Sequence, residues 1–400
     1  MKILYITAQT PYGDGEQFIP PEIIEMMNKG NEIFVMPLRP SRNLAKGEEI
    51  KKVAEHTKYV PLISVKVIFS AVAIFFKHPL KYFKVLGNIF VHSGSLLKIL
   101  KNLLLVSKGL VASDFVTSKG IEHIHAHWAS TPSTAAFIAS YVSGVPYSFT
   151  SHRWDIAENN MLRKKAETAK FIRVIDDPGF EEMVGFIGED NKQKCNKIHV
   201  GVEITDAEIK PKKKRDYFYI VTPANFVEKK GHKYLIEAIE HLKKMGYSIK
   251  CSFYGSGPLE KELNEYITKL QLNDCVKICG KIAHDDLLKL YLAGEVDCVA
   301  LPSIVTGDGE KEGIPVSLME AMAYNIPAVS TYTGGIPELL GDNCGVLVNE
   351  KNVDELVEGI KKLIDDKAYR ESIENNGYKR VYEEFYISSV VDKMLKLMKD

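Results

Sequence analysis

The sequence predicts an α/β protein of two domains, each with a parallel sheet whose strands are joined by helices. Short apolar runs rich in Val, Ile, Phe and Tyr alternate with helix-length segments along the whole chain, and this alternation is typical of βαβ units. The 400 residues also exceed the size of about 250–300 residues at which a single hydrophobic core usually stops growing. Two cores, and therefore two domains, are expected.

The predicted strands form two series with a polar segment between them. The first series is 2–7, 32–36, 122–125, 147–150 and 171–175, and the second is 217–221, 250–254, 276–279, 298–301, 328–330 and 346–348. Residues 204–217 between them contain the run from Lys210 to Arg215, whose charge and proline favour a solvated linker. We therefore place an N-terminal domain at 1–204 and a C-terminal domain at 205–380.

Composition and the N-terminal residues favour a cytoplasmic protein. The 52 basic and 52 acidic residues leave no net charge, which argues against nucleic acid as a partner. The six cysteines lack paired metal-ligand spacing and are typical of reduced core thiols. The first residues enter a strand pattern directly instead of forming a signal peptide. The longest nearly uncharged apolar run, 67–76, is far shorter than the roughly 20 residues of a membrane-spanning helix.

Residues 61–119 differ from the rest of the chain in their charge. They contain eight lysines and a single acid, Asp114, interleaved with apolar residues at helical spacing. A basic amphipathic surface of this kind can bind an anionic membrane peripherally. The alternative is a set of helices packed on the N-terminal sheet with their lysines in water, and the sequence leaves both interpretations open.

The segment 302–323 carries the strongest chemical signal. It follows the predicted strand 298–301 and contains a glycine-containing loop that leads into a helix at Gly313–Ser317. Ligands of open α/β sheets bind beyond the carboxyl ends of strands, and the free N–H groups of a helix start favour phosphate. Glu312 precedes this helix and Glu320 lies about two turns into it, so the two carboxylates can face different parts of one extended ligand.

Several motifs in this order resemble the retaining glycosyltransferases of family four, in the branch that builds bacterial exopolysaccharides and other surface glycans. The resemblance covers nearly the whole chain and rests on the segments 13–19, 125–128, 151–156, 199–203, 228–232, 254–258, 312–323 and 333–338. It implies a GT-B fold, in which two Rossmann-like domains face each other across a cleft. It also implies a C-terminal helix, 381–400, that packs back on the N-terminal domain.

The same resemblance implies a nucleoside diphosphate sugar, UDP- or GDP-linked, as donor substrate, with no metal and no further cofactor. Glu312 then lies at the donor sugar, Lys230 neutralises the diphosphate and Glu320 binds the ribose. A fixed cation suits this role because departure of a nucleoside diphosphate develops negative charge. Asn225 occupies the position where the family usually has an arginine. Either Lys230 then acts with helix N–H groups alone, or Arg153 or Lys229 compensates, or turnover is slow.

Further donor contacts are implied at the ends of other strands. These contacts are Gly15, Gly255, Ser256, Lys281, Ile282, Gly313, Ile314, Pro315, Val316 and Ser317. In isolation, a glycine after a strand is a common turn residue. It is the order of the motifs that favours nucleotide contacts here.

On the N-terminal side, His152 follows a predicted strand, and the resemblance implies that it touches the donor sugar or the bond that is broken. His127, Arg153 and Asp155 are candidates for the acceptor side. For Arg153 and Asp155 the alternative is an ion pair and helix capping. His123, His125 and His127 alternate along one strand and could mimic a metal site, but no acidic ligand accompanies them in sequence and we predict no metal.

The sequence therefore predicts transfer of a sugar, with retained anomeric configuration, to a glycan or lipid-linked acceptor. Two alternatives stay open. One is a nucleotide-sugar epimerase of GT-B fold, which would need no acceptor. The other is a catalytically impaired partner that binds nucleotide sugar, and it is favoured by Asn225.

Overall fold

The computed structural model describes residues 1–13, 16, 18–41, 43–44, 47–62, 64–205 and 207–400, apart from the side chain of Lys66. The chain divides into two compact units. The N-terminal unit comprises residues 1–201 together with 387–400, and the C-terminal unit comprises residues 202–386.

The N-terminal unit is a six-stranded parallel sheet in the order β2-β1-β3-β4-β5-β6, with helices in its connections. Its strands are β1 (Lys2–Thr7), β2 (Glu32–Pro37), β3 (His123–His127), β4 (Tyr147–Ser151), β5 (Ile172–Val174) and β6 (Cys195–Lys197). Its helices before β4 are α1 (Ile19–Asn28), α2 (Glu48–Glu55), α3 (Val65–Lys77), α4 (Pro79–His92), α5 (Leu96–Lys119) and α6 (Thr131–Ser143). After β4 follow α7 (Arg153–Glu158), α8 (Leu162–Thr168) and α9 (Asp177–Ile187).

The C-terminal unit is a second six-stranded parallel sheet, in the order β12-β11-β10-β7-β8-β9. Its strands are β7 (Phe218–Pro223), β8 (Ile249–Tyr254), β9 (Val276–Ile278), β10 (Cys298–Leu301), β11 (Ala328–Thr331) and β12 (Val346–Val348). Its helices are α10 (His232–Lys244), α11 (Glu260–Lys269), α12 (His284–Leu292), α13 (Val316–Ala323), α14 (Ile336–Leu340), α15 (Val353–Asp365) and α16 (Lys367–Arg380). A π-helical turn, Val381–Phe385, ends the unit.

The last helix, α17 (Ile387–Lys399), belongs to the N-terminal unit. It packs against α1, where Lys29 forms an ion pair with Asp392 at 2.8 Å. The Lys170 ammonium also donates to the Met398 carbonyl at 2.9 Å. These polar contacts fix the C-terminal helix to the unit in which the chain begins.

The predicted α/β class with two parallel sheets is confirmed, and the strands bury apolar side chains on both faces, as parallel strands do. In the C-terminal unit two apolar clusters hold opposite faces of the sheet: one contains Ile220 and Phe253, the other Val221 and Leu301. The sequence pattern missed β6, because Cys195–Lys197 is a three-residue edge strand without an apolar run.

The segment 204–217 was expected to be a solvated linker; many of its residues are exposed, but its basic run is held to the C-terminal unit. The Arg215 side chain is only 11 % exposed and pairs with Asp297 at 2.9 Å. Lys212 pairs with Glu374, and the Lys210 amide donates to the Leu292 carbonyl at 3.0 Å. The charges of this run are therefore matched by acids of the C-terminal unit, and the run packs along that unit.

Candidate functional site

The order of the C-terminal sheet reverses between β7 and β10. These strands are neighbours, yet the chain continues from β7 to β8 and β9 on one side and from β10 to β11 and β12 on the other. Such a reversal of strand order is the place where open α/β sheets bind ligands, at the carboxyl ends of the strands. We call the loops at this end of the sheet the C-terminal edge.

An ion pair bridges the two central loops of the C-terminal edge. Lys230 ends the 3₁₀ turn Glu228–Lys230 after β7, and Glu312 lies in the loop after β10. Their side chains form a direct ion pair and remain 16 % and 13 % exposed. The two residues are thus partly withdrawn from water but still accessible to a ligand.

Close backbone packing holds these two loops in place. A β-carbon at Gly231, whose φ is +65°, would lie 1.8 Å from the Pro302 carbonyl oxygen. A β-carbon at Gly334, whose φ is +57°, would lie 1.7 Å from the Glu312 carbonyl oxygen. Only glycine fits at both positions, and it is this packing that sets Glu312 opposite Lys230.

The segment Gly313–Ser317 leads into α13, which begins at Val316. Pro315 is the N-cap residue and no side chain caps the helix. Pro315 is buried, whereas Gly313, Ile314, Val316 and Ser317 are partly exposed. Because the first N–H groups of a helix lack intrahelical acceptors, this end can receive an anion.

Glu320 lies in the second turn of α13 and has a partner that the sequence did not suggest. The His284 ring, at the start of α12, contacts Glu320 with its Nε2 at 2.7 Å. Glu320 is 16 % exposed at its side chain and His284 is 56 % exposed. Glu320 therefore belongs to the C-terminal edge but is paired separately from Lys230 and Glu312.

The remaining predicted donor contacts follow β7, β8 and β9. The Gly255 amide donates to the Gly280 carbonyl at 2.9 Å, which sets Lys281 and Ile282 beside the loop after β8. The Ser256 carbonyl accepts from the Phe226 amide at 3.0 Å, next to exposed Asn225. The structure thus gathers the predicted residues of this unit at one edge of one sheet.

A second set of polar residues lies at the carboxyl ends of the N-terminal strands, which we call the N-terminal edge. Here Glu16 is 6 % exposed and accepts hydrogen bonds from the backbone of residues 8–10 and from the Thr10 hydroxyl. The Trp128 indole N–H also donates to it. This carboxylate ties the loop after β1 to the end of β3, and the sequence analysis did not single it out. Gly15, a predicted donor contact, lies outside the described residues.

His152 and His127 pair at the same edge, with their Nε2 atoms 2.9 Å apart. His152 is partly exposed and packs against Phe18 and Trp128. Burial, with a smaller effect from Arg173, lowers the pKa of His152 to about 3. Burial also lowers the pKa of His127 well below its usual value. Both rings are therefore neutral near pH 7, and one donates to the other.

His127 does not line an open acceptor surface as we predicted, because its side chain is buried behind this contact with only 1 % exposure. Asp155 is also fully buried, so it does not face an acceptor either. It caps α7, accepting from the Ala129 amide at 2.5 Å and the His152 amide at 2.7 Å. Burial raises the pKa of Asp155 to about 7. Arg153 is partly exposed, and its role on the acceptor side stays a prediction.

The alternating histidines of β3 are part of the hydrogen-bonded core. Within the described residues, Glu22, His125 and His127 form the group whose ligand atoms lie close enough to hold a metal ion, all within 4.8 Å of one another. The Glu22 carboxylate accepts from the Tyr5 hydroxyl and pairs with fully buried Arg173 at 2.5 Å. Both ring nitrogens of His125 contact hydroxyls of β4. These atoms are therefore engaged in holding the sheet and its helices together.

The sequence matches to known proteins include the C-terminal unit, which carries the C-terminal edge. Residues 203–380 match the family model described as Glycosyl transferases group 1. Over 170 residues the chain is 39 % identical to the putative colanic acid biosynthesis glycosyltransferase WcaL of Escherichia coli K12, covering 42 % of this chain and 41 % of WcaL. Over 181 residues it is 37 % identical to the amylovoran biosynthesis glycosyltransferase AmsK of Erwinia amylovora, covering 44 % of this chain and 43 % of AmsK. The matched part thus spans about two fifths of the length of these relatives.

Solved structures share the fold over the full chain. HepE of Anabaena, in complex with UDP, has a TM-score of 0.70 and 17 % identity, and the match covers 100 % of both chains. A glycosyltransferase of Rickettsia africae has the same TM-score and identity, with 100 % of this chain and 97 % of that chain covered. The fold is that of the GT-B glycosyltransferases.

Proposed function

We propose, from the premise that residues 203–380 form a group 1 glycosyl transferase domain, that the protein transfers a sugar from a nucleoside diphosphate sugar to a glycan or lipid-linked acceptor. The observation that carries the proposal is the Lys230–Glu312 ion pair at the strand-order reversal of the C-terminal sheet. Lys230 supplies a cation there, and α13 begins without a side-chain cap a few residues after Glu312. Both features lie at the end of the sheet where such folds bind phosphate.

Lys230 is the group that would stabilise the leaving diphosphate. Departure of a nucleoside diphosphate concentrates negative charge on its oxygens, and a fixed ammonium stabilises that charge more in the transition state than in the bound donor. The Lys230 side chain is mostly withdrawn from water, which strengthens its interaction with a phosphate. The first N–H groups of α13 would add to this stabilisation without requiring any movement.

Glu312 would exchange partners when the donor binds. In the free protein it neutralises Lys230, so that the ammonium is held in place by an opposite charge. A diphosphate at Lys230 replaces this carboxylate, and Glu312 is then free to accept hydrogen bonds from hydroxyl groups of the sugar. Glu320, about two turns along α13, would accept from the ribose hydroxyls in the same way.

The relatives support a glycan product and a uridine nucleotide. WcaL and AmsK are named for the biosynthesis of colanic acid and amylovoran, and HepE binds UDP. We therefore propose a UDP-sugar as the first donor to test and exopolysaccharide biosynthesis as the process. A GDP-sugar is the second donor to test, because the loops after β8 and β9 are joined by a backbone hydrogen bond from Gly255 to Gly280, and backbone groups do not select a base.

We further propose that the anomeric configuration is retained and that no metal takes part. Retention fits departure of the diphosphate and attack of the acceptor on the same face of the sugar, with the leaving phosphate accepting the proton of the acceptor hydroxyl. No side-chain base is then required. Lys230 and the start of α13 supply the positive charge that a metal ion would otherwise provide.

Donor binding tests the proposal before any acceptor is known. Thermal unfolding would be measured with UDP-, GDP- and ADP-sugars, because a ligand that binds only the folded protein stabilises it by RT ln(1 + [L]/Kd). We expect a shift with at least one sugar nucleotide, undiminished by EDTA, and its loss in Glu320→Ala. Absence of a shift with all of them would contradict the proposal. A shift that EDTA removes would contradict metal independence alone.

Transfer is tested with the donor that binds, in labelled form, and with lipid and oligosaccharide extracts as acceptors. Labelled product whose anomeric configuration matches the donor supports retaining transfer, and His152→Ala should reduce its formation if that side chain contacts the sugar. Isomerised sugar formed without any acceptor would indicate the epimerase alternative instead.

The position of Asn225 favours one second candidate, a protein that binds nucleotide sugar without transferring it. Asn225 is exposed after β7, where the family resemblance leads one to expect an arginine. This candidate predicts donor binding, no product with any acceptor, and no gain in Asn225→Arg. Product formation by the wild-type chain would exclude it.

A further inference from the structure

The first three long helices of the N-terminal unit expose an unusually large apolar surface. Of the nineteen large hydrophobic residues that are exposed among the described residues, thirteen fall within residues 65–104. We call these thirteen the apolar face: Val65, Ile68, Phe69, Val72, Phe76, Leu80, Phe83, Phe90, Val91, Leu96, Leu97, Leu100 and Leu104. Single exposed apolar residues are normal, but a cluster of this size marks a docking surface.

The exposed residues of the apolar face follow the helical repeat, so the face is a consistent feature of the helices. In α3 the exposed residues Ile68, Phe69, Val72 and Phe76 recur at helical spacing, while Val67, Ala71 and Ile74 on the other side are buried in the core of the N-terminal unit. Phe69 and Phe76 are 71 % and 75 % exposed. α3 is therefore apolar on two sides, and the N-terminal unit covers only one of them.

The charged residues within 65–104 are all of one sign. Residues 65–104 contain six lysines and no aspartate or glutamate. Lys84 is exposed and Lys77 is 66 % exposed, with its nearest acid, Asp114, 4.0 Å away. Lys101, 45 % exposed, pairs with Glu158 at the margin of the face. A partner that covers this surface must therefore be apolar where the Phe and Leu side chains enter and negatively charged around them.

We infer that the apolar face docks on the surface of a bilayer that contains anionic phospholipid. Phe and Leu side chains enter the boundary between headgroups and acyl chains, while the flexible lysine side chains reach the phosphates. Among the described residues, none of the helices combines the length and apolar content needed to cross a bilayer. The contact is therefore peripheral, with the helices lying along the surface.

A second copy of the chain fits this surface less well. A two-fold interface would bring the same patch of both copies together. The lysines of one copy would then meet those of the other, with no acid in residues 65–104 to compensate. Like charges facing each other in this way oppose association, whereas an anionic bilayer attracts each of these lysines.

Vesicle binding tests the inference with the full chain. Cosedimentation would be measured with vesicles of phosphatidylcholine alone and of phosphatidylcholine mixed with phosphatidylglycerol. We expect binding to the mixed vesicles that weakens as salt is raised. The double variant Lys77→Gln, Lys84→Gln should bind roughly tenfold or more weakly, since each lysine near the surface contributes about fivefold. The double variant Phe76→Gln, Leu97→Gln should lose binding to the mixed vesicles.

Matched controls lie outside the apolar face. Lys244→Gln with Lys289→Gln removes two exposed lysines of the C-terminal unit, and Met245→Gln removes an exposed apolar side chain there. These variants should bind as the wild type does. Circular dichroism of every variant checks that it is folded, which is expected because the replaced side chains are exposed.

Three outcomes would overturn the inference. These are no binding to either vesicle, binding that the face variants leave unchanged, and a dimer in solution without lipid that Phe76→Gln, Leu97→Gln abolishes. The last would assign the face to a second copy. Since all readouts concern binding and association, they are independent of whether the protein transfers a sugar.

Discussion

Glu16 at the N-terminal edge and Glu312 at the C-terminal edge are both mostly buried glutamates that follow a strand, but their partners differ in kind. Glu16 accepts from donors that have no other role, namely backbone amides of residues 8–10 and the Trp128 indole. Glu312 is paired with Lys230, and a phosphate can satisfy that ammonium equally well. The first arrangement holds a loop in place, and the second can be exchanged for a ligand.

The other polar residues of the two edges differ in the same way, in whether their partners are buried within the unit or accessible to a ligand. The N-terminal edge buries His127 and Asp155 and satisfies them within the unit, so it forms a rigid platform beneath partly exposed His152. The C-terminal edge keeps Glu320 and Lys230 partly accessible. The N-terminal edge is thus fixed by its internal hydrogen bonds, whereas the ion pairs of the C-terminal edge can be exchanged for a ligand.

The largest expected effect is on turnover at the exchangeable pair. Lys230→Ala removes the cation proposed to stabilise the leaving diphosphate, and we expect kcat to fall by roughly a hundredfold to a thousandfold. The measurement is steady-state transfer with the donor identified by thermal shift. Lys229→Ala is the matched control, since that lysine pairs with exposed Glu310 at 2.6 Å and should change kcat little. Equal losses in both variants would show that Lys230 has no special role.

For stability we expect the opposite order: replacing Glu16 should destabilise the protein more than replacing Glu312. Glu16→Ala leaves several buried donors without an acceptor, and we expect the N-terminal unit to lose about 3 kcal/mol or more of unfolding free energy. Glu312→Ala leaves an accessible lysine and should cost the C-terminal unit about 1 kcal/mol or less.

The unfolding of each unit can be measured separately. Both tryptophans of the chain, Trp128 and Trp154, belong to the N-terminal unit, so urea unfolding monitored by fluorescence reports on that unit. Hydrogen exchange of the β7 and β10 amides reports on the other. If Glu312→Ala proved as destabilising as Glu16→Ala, the distinction between a structural and an exchangeable carboxylate would fail.

The buried histidines should make the N-terminal unit sensitive to mild acid. Burial lowers the pKa of His123 to about 3, whereas an unfolded histidine titrates near pH 6.5. Between these values the unfolded chain binds more protons, so the stability that is fully present above about pH 6.5 is lost as the pH falls. His123 alone should cost about 1.4 kcal/mol between about pH 7.5 and about pH 5.5.

The comparison of His123→Gln with the wild type measures this contribution. Glutamine can keep the hydrogen bond to Ser148 but does not titrate. Urea unfolding followed by tryptophan fluorescence at the two pH values should therefore show a smaller pH dependence in the variant. Exposed His92→Gln is the control and should leave the pH dependence unchanged.

Sequence patterns predicted the strands and the position of the C-terminal edge because both follow from local rules. Apolar runs separated by helix-length segments define parallel strands, and the loop after β10 has the glycines and helix start that anion binding requires. The family resemblance implied that Lys230 and Glu312, 82 residues apart, lie at one donor site, and the structure brings their side chains into an ion pair that was not predicted. What these side chains bind stays a prediction.

Other features depended on contacts that no local pattern encodes. The basic run 210–215 has the composition of a linker, but its acids, Asp297 and Glu374, are remote in sequence. For Asp155 the sequence left an acceptor role and helix capping open, and only the fold shows that it is a buried helix cap. His284 was missed for the same reason, since nothing in residues 284–292 indicates that α12 begins beside Glu320.

The smallest effect is expected at the pair of His284 with Glu320. It tests directly whether a ligand can replace a side-chain partner at the C-terminal edge. His284 is more than half exposed, so its contact with Glu320 should contribute about 0.5 kcal/mol or less to stability. If Glu320 exchanges His284 for the ribose, His284→Gln should leave the donor-induced thermal shift nearly unchanged, whereas Glu320→Gln should reduce it strongly. Loss of the shift in His284→Gln would instead mean that the histidine itself contacts the donor or positions Glu320 for it.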